Sequence, residues 1–282
     1  MKQAQAEYPG RVLALTRAGI AVLLILAIAN GVFLYFFPAQ AEPDYAWPIK
    51  PPISAAFIGA GYLAGMVAGA LGLFATRSYA SVRALVPGFC VLGITLLAAT
   101  LIDADRFRWD YSLTWAWTAI YALVAPAAIY LWLRQRRLAP DADDPENPVP
   151  ASLRPLSWAL GAVMAAVGVV LFVAPDWLLE DWPWPITPLI ARVFAGWYLL
   201  SALTLLYSAL TARRARELPI PYMTVATWGL LTLLVLPLYS ESVRSAAAGY
   251  WPFVVLHALL IAFCAFAVVR SLALMRAAGQ RL

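Results

Sequence analysis

The chain has 282 residues, 63% of them hydrophobic and 12% charged, a mean hydropathy of +0.76 and a formal net charge of +5. A water-soluble domain carries about 25% charged residues, so a soluble fold is excluded. The positive charge is then read as Lys and Arg in cytoplasmic loops rather than as a nucleic-acid footprint.

Eight apolar runs are long enough to cross about 30 Å of hydrocarbon, which takes roughly 20 helical residues. They lie near 11–37, 51–76, 83–103, 111–134, 154–174, 186–211, 219–239 and 250–273. Backbone groups in lipid must be paired within their own segment, so each run is predicted to be an α-helix. The first run, preceded by Lys2, Arg11 and Arg17 and ending in Ala39-Gln40-Ala41, also has the look of a signal peptide. It exceeds the usual core of about 7–15 residues and has a counterpart in the fifth run, so it is expected to remain as a helix. Fifteen of the twenty Lys and Arg fall on one side of this arrangement, and only Lys50, Arg106, Arg108, Arg192 and Arg244 on the other. The positive-inside rule places both termini in the cytoplasm, and the composition suits a bacterial inner membrane.

Trp47-Pro48-Ile49-Lys50-Pro51 returns as Trp184-Pro185-Ile186-Thr187-Pro188, 137 residues later. At that offset Arg17 matches Arg154, Asp44 matches Asp181, and Phe57 matches Phe194. An offset of 136 then aligns Tyr62 with Tyr198, Gly93 with Gly229, Arg108 with Arg244 and Trp115 with Trp251. The expected architecture is all-α and integral to the membrane: two four-helix repeats, 1–137 and 154–282, joined by an acidic, proline-rich cytoplasmic linker at 138–153. Four helices per unit bring the second into the membrane in the direction of the first, which gives parallel repeats.

Proline in a first helical turn removes an N–H that has no partner there, and tryptophan favours the membrane interface. The duplicated stretch therefore reads as a helix start with an aromatic belt of Tyr45, Trp47, Trp177, Trp182 and Trp184, or as a paired outer vestibule. Arg192 lies about 9 Å below the start of the sixth run and is matched by Ala55. At that depth it must snorkel, pair with an acid (Glu180, Asp181 or Glu241) or hold an anionic ligand. Asp105 and Arg108, like Glu241 and Arg244, have the spacing of a helical ion pair. His257 is the only histidine, suited to a core hydrogen bond or a proton relay. Gly61, Gly65 and Gly69 form a small-residue face for packing inside the chain, for a homodimer or for a partner subunit. Pro87-Gly88 and Pro126 predict kinks. Cys90 and Cys264, inside apolar runs, form neither a disulfide framework nor a metal-ligand spacing. No Walker A, Gly-x-Gly-x-x-Gly, nucleophile-elbow or His-Glu-x-x-His motif is present, so no cofactor is expected.

The stretch Trp182-Pro183-Trp184-Pro185-Ile186-Thr187-Pro188-Leu189-Ile190-Ala191-Arg192 resembles one in uncharacterised bacterial multi-pass membrane proteins, a resemblance that implies no activity. The leading expectation is a non-catalytic protein that binds or translocates a small hydrophobic or anionic molecule between its repeats, at Arg192, Trp184, His257, Asp181 and Glu241. An assembly subunit of a larger membrane complex is the second reading. An enzyme acting on lipid head groups through Asp103, Asp105, Asp110 or Glu241 is the third.

Overall fold

The computed structural model describes residues 11–76, 78–136 and 148–280. The expectations for Lys2, Arg77, Arg137, Arg281 and the linker acids Asp141, Asp143, Asp144 and Glu146 fall outside these residues. Eight long helices are each long and apolar enough to cross a membrane: α1 (Ala14–Phe36), α2 (Pro52–Ala70, extended by a π turn over Leu71–Ala75), α3 (Leu85–Ile102), α4 (Ser112–Arg136), α5 (Leu153–Val173), α6 (Pro188–Thr211), α7 (Pro219–Leu238) and α8 (Tyr250–Ala277). No strand occurs among the described residues, and the helix ends fall within a few residues of the predicted runs. Pro52, Pro188 and Pro219 stand in first helical turns. Thr187 caps α6 by accepting from the Ile190 amide at 3.3 Å. Pro87 lies in the first turn of α3, where it starts a helix rather than kinking one. Pro126 is inside α4, as expected.

Neighbours in sequence pair as hairpins: α1 with α2, α3 with α4, α5 with α6 and α7 with α8. Between hairpins the packing is exchanged, because α2 lies against α7 and α3 against α6. These four helices form the interior and α1, α4, α5 and α8 the periphery. In the apolar span of α6 78% of residues are buried, against 17% in α4. Helix association in lipid lacks a hydrophobic drive and relies on close packing, and glycine provides it here. A Cβ on Gly59 would stand 2.5 Å from the Tyr35 amide nitrogen, and one on Gly88 2.8 Å from the Leu200 carbonyl oxygen. At the crossing of α2 and α6 the rings of Phe57 and Phe194 have centroids 4.0 Å apart. One turn further in, Gly61 leaves room for the Trp197 ring. Gly65 and Gly69 face Ala27 and Leu24 of α1. Gly61 is thus used for contact within the chain, while Gly65 and Gly69 also border a cavity.

The duplicated Trp-Pro stretch departs from expectation. Trp47, Trp182, Trp184 and Tyr45 are buried, and of the anticipated belt only Trp177 is exposed, at 77%. The cause is a guanidinium clamp. Arg108 donates to the carbonyls of Glu42 (2.8 Å), Pro43 and Tyr45, while its amide donates to Ala46 at 3.0 Å. Arg244 donates to the carbonyls of Leu179, Trp182 and Trp184 at 2.9–3.2 Å, and its amide to Pro183. Both arginines are therefore committed to backbone oxygens and not to Asp105 or Glu241, which are exposed. Asp105 instead meets its neighbour Arg106 at 3.2 Å. Five donors in a planar fork satisfy several carbonyls at once, and the chain before α2 and α6 is drawn inward with its aromatic rings.

Arg244→Ala is expected to lower stability by about 2 kcal/mol, since unpaired buried carbonyls cost about 1–3 kcal/mol. Thermal unfolding in detergent checks this. Arg244→Lys should recover only part of the loss, because a point charge cannot serve three carbonyls in a fork.

Candidate functional site

Arg192 stands in the second turn of α6, half-buried, and its Nη1 lies 2.9 and 2.7 Å from the two carboxylate oxygens of Asp103. Asp103 is the C-terminal cap of α3, where a carboxylate opposes the helix dipole, so the guanidinium relieves an unfavourable charge as well as its own burial. The acids expected beside Arg192 are elsewhere. Glu180, Asp181 and Glu241 are exposed, and the Asp181 carbonyl accepts from the Gly249 amide at 3.0 Å. Sequence reasoning missed this partner because Asp103 and Arg192 are 89 residues apart and only the exchanged packing of α3 on α6 joins them.

Trp184 and His257 are both fully buried and both meet the Phe253 ring, at centroid distances of 5.6 and 4.2 Å. The Trp184 indole N–H donates to Ser54 Oγ at 3.0 Å. His257 Nδ1 lies 2.8 Å from the Phe253 carbonyl oxygen, which can only accept, so Nδ1 carries the proton. Nε2 is left to face the Tyr198 hydroxyl at 3.4 Å. The corresponding positions of the first half, Tyr62 and Tyr121, join hydroxyl to hydroxyl. His257 thus ties α8 to α6 as Tyr121 ties α4 to α2. The five residues predicted as one site separate into a half-buried ion pair (Arg192), an aromatic core (Trp184, His257) and two exposed loop acids (Asp181, Glu241). The alternative acids are no more convergent: Asp103 is bound to Arg192, and Asp105 and Asp110 are exposed. Among the described residues no group of three or more His, Cys, Asp or Glu comes together to hold a metal.

A cavity of about 360 Å³ does exist, in the first half, enclosed by α1, α2, α3, α4 and the α2–α3 connection. Its walls include Ile20, Leu23, Gly69, Val86, Phe89 and Ala127. Val22 (57% exposed) and Leu123 (65%) stand at its rim, so it opens sideways between α1 and α4. One end is closed by Gln135, which accepts from the Leu13 amide and Thr16 hydroxyl and donates to the Arg11 carbonyl. Beyond the other end lies the Tyr62–Tyr121 bond, one turn past Gly65 and Val124. At the matching positions of the second half the space is filled. Gly69 is matched by Leu205, Val86 by Tyr222 and Ala127 by Phe263. Leu205 and Tyr222 are fully buried, Tyr222 shares a 2.6 Å hydrogen bond with Ser157, and its ring packs on Phe263. Of the cavity wall, sequence reasoning named only Gly65 and Gly69, and as a packing face. The signal was a small-for-large mismatch at the repeat offset.

No protein-family model matches the chain, and neither the curated proteins nor the solved structures yield a match.

Replacing both Arg192 and Asp103 by Leu should be tolerated better than Arg192→Leu alone, which leaves Asp103 half-buried and unpaired. A double-mutant cycle on unfolding midpoints is expected to give a coupling of about 1–3 kcal/mol; additive effects would show the pair contributes nothing.

Proposed function

We propose that this chain is a multi-pass protein of a bacterial cytoplasmic membrane, built from two parallel four-helix repeats, that binds one hydrophobic molecule in the cavity of its first repeat. The observation that carries the reading is the cavity itself. It falls within the range of about 300–1,000 Å³ usual for ligand sites, has apolar walls and opens toward lipid rather than toward water.

The repeat is supported by contacts that recur at the sequence offset. The Arg108 and Arg244 clamps share three matched carbonyls (Glu42 with Leu179, Tyr45 with Trp182, Ala46 with Pro183), the α2–α7 and α3–α6 packings exchange matching helices, and Tyr62–Tyr121 answers Tyr198–His257. A repeat whose second copy fills its interior and whose first copy does not points to retention of the space for an occupant. The lateral opening favours binding from the bilayer over passage through the bundle. The ligand location expected between the halves is moved accordingly: Arg192 is occupied by Asp103, and Trp184 and His257 are packed solid.

Val86→Tyr/Ala127→Phe gives the first half the second half's side chains and should reduce co-purifying lipid at least about tenfold by native mass spectrometry, with an unchanged monodisperse elution profile. Wild-type protein without bound lipid, or a filled variant that keeps it, would overturn the reading. For orientation, a cysteine at exposed Glu241 in a background lacking Cys90 and Cys264 should react with an impermeant maleimide added outside spheroplasts, and one at exposed Ala151 should not. The reverse labelling would invert the topology.

A further inference from the structure

Among the described residues no charged side chain lines the cavity, and its two hydroxyls offer no proton to an occupant's oxygen. Thr16 donates to Gln135, and the Tyr79 oxygen is shut off from accessible space. Gln135, which seals that end, is itself committed to the Leu13 amide, the Thr16 hydroxyl and the Arg11 carbonyl. A head group carried inside would lose its hydrogen bonds to water without replacement. That costs roughly 2–7 kcal/mol for one hydroxyl or amide, and far more for a charge. The cavity therefore takes hydrocarbon and excludes heads.

Depth says which hydrocarbon. On α1 the wall runs from Thr16 to Leu26, about 15 Å by helical rise, which is half of the roughly 30 Å hydrocarbon thickness. Thr16 is in the first turn of α1 and Leu26 near its middle. The cavity thus lies in one leaflet, on the side where Arg17, Arg83 and Arg134 stand at or beside the helix ends, and has the length of one chain of that leaflet. Its inner end stops short of the Tyr62–Tyr121 bond.

Affinity cannot single out a scarce ligand here. Lipid tails are as apolar as leucine, so a methylene gains little by exchanging lipid for an apolar wall. Occupancy comes instead from dispersion contacts with a wall that is otherwise bare and from concentration, and mass action then favours the most abundant chain. The mouth between α1 and α4 admits such a chain sideways while its head stays in the headgroup layer.

We propose that the occupant is one acyl chain of an ordinary membrane phospholipid from the leaflet on the arginine-rich side, held by its chain alone, with its methyl end toward Tyr62–Tyr121 and its head outside the cavity. This rests on the reading of the cavity as the site of a hydrophobic molecule and names that molecule.

The test uses the full chain in nanodiscs, with phospholipids brominated on one chain as the probe. Trp132 lines the arginine-rich end of the cavity, so a bromine beside it quenches its fluorescence, and Trp132→Phe supplies the background from the other tryptophans. Phosphatidylcholine, phosphatidylethanolamine and phosphatidylglycerol carrying the same brominated chain should bind within about twofold of one another, a difference of about 0.4 kcal/mol. Bromine near the glycerol end should quench Trp132 more strongly than bromine near the methyl end, and Val86→Tyr/Ala127→Phe should be quenched at least about twofold less than the unmodified protein. If one head is preferred by more than twofold, or the methyl-end bromine quenches as much or more, the chain-only proposal is wrong and the cavity reading survives. If Trp132 is quenched no more than its background, or Val86→Tyr/Ala127→Phe is quenched equally, the cavity reading falls with it.

Discussion

Two ion pairs hold α3 against α6. Arg192 meets Asp103 where α6 begins and α3 ends, and Arg83 meets Glu217 and the Thr211 carbonyl where α3 begins and α6 ends. Lipid offers helices no reason to hide apolar surface from one another, so fixed polar contacts at helix ends and glycine-mediated approach between them must align the bundle. The arginine clamps on the connections before α2 and α6 work in the same way. Guanidinium groups anchor the ends, carbonyls accept, and aromatic rings fill the space drawn in behind them.

Among the described residues the other exchanged interface, α2 on α7, has no counterpart of these ion pairs. The positions matching Arg192 and Asp103 are Ala55 and Tyr239, and those matching Arg83 and Glu217 are Pro219 and Ser81. A neutral bond from the Tyr35 hydroxyl to the Leu231 carbonyl at 3.2 Å ties α7 to α1 instead. The ion pairs of Arg192 with Asp103 and of Arg83 with Glu217 therefore lie along the α3–α6 seam. The open cavity has α3 and α4 on that seam's side and α1 and α2 on the other, so it spans the division between the charged seam and the neutral one. The second half, with Tyr222, Phe263 and Leu205 in its interior, is the more solid scaffold.

The eight helices were legible because lipid imposes one rule on every segment: enough apolar length, and all backbone groups paired within it. Helix ends were legible from Pro52, Pro188 and Pro219, whose missing amides are harmless only in a first turn. Side-chain partners were harder to read. Asp105–Arg108 and Glu241–Arg244 satisfied a local spacing, yet both arginines bind carbonyls of a distant connection, because a buried turn with unpaired oxygens attracts a multi-donor cation more strongly than an exposed acid does. The aromatic belt was misjudged on the same account. Tryptophan's interfacial preference is an average, and here the clamp on the preceding backbone overrides it.

By itself the sequence determined the helical class and the number and limits of the apolar helices, which follow from local composition and spacing. Tertiary structure alone decided the exchange of α3 and α7 between hairpins, the pairing of Arg192 with Asp103, the burial of the Trp-Pro stretches and the position of the cavity. Those depend on which helix faces meet, and no short-range rule encodes that. The Trp-Pro stretches, read as an interfacial belt or an outer vestibule, are packed core, and the cavity lies where one part of the chain carries Gly69, Val86 and Ala127 and the positions at the sequence offset carry Leu205, Tyr222 and Phe263.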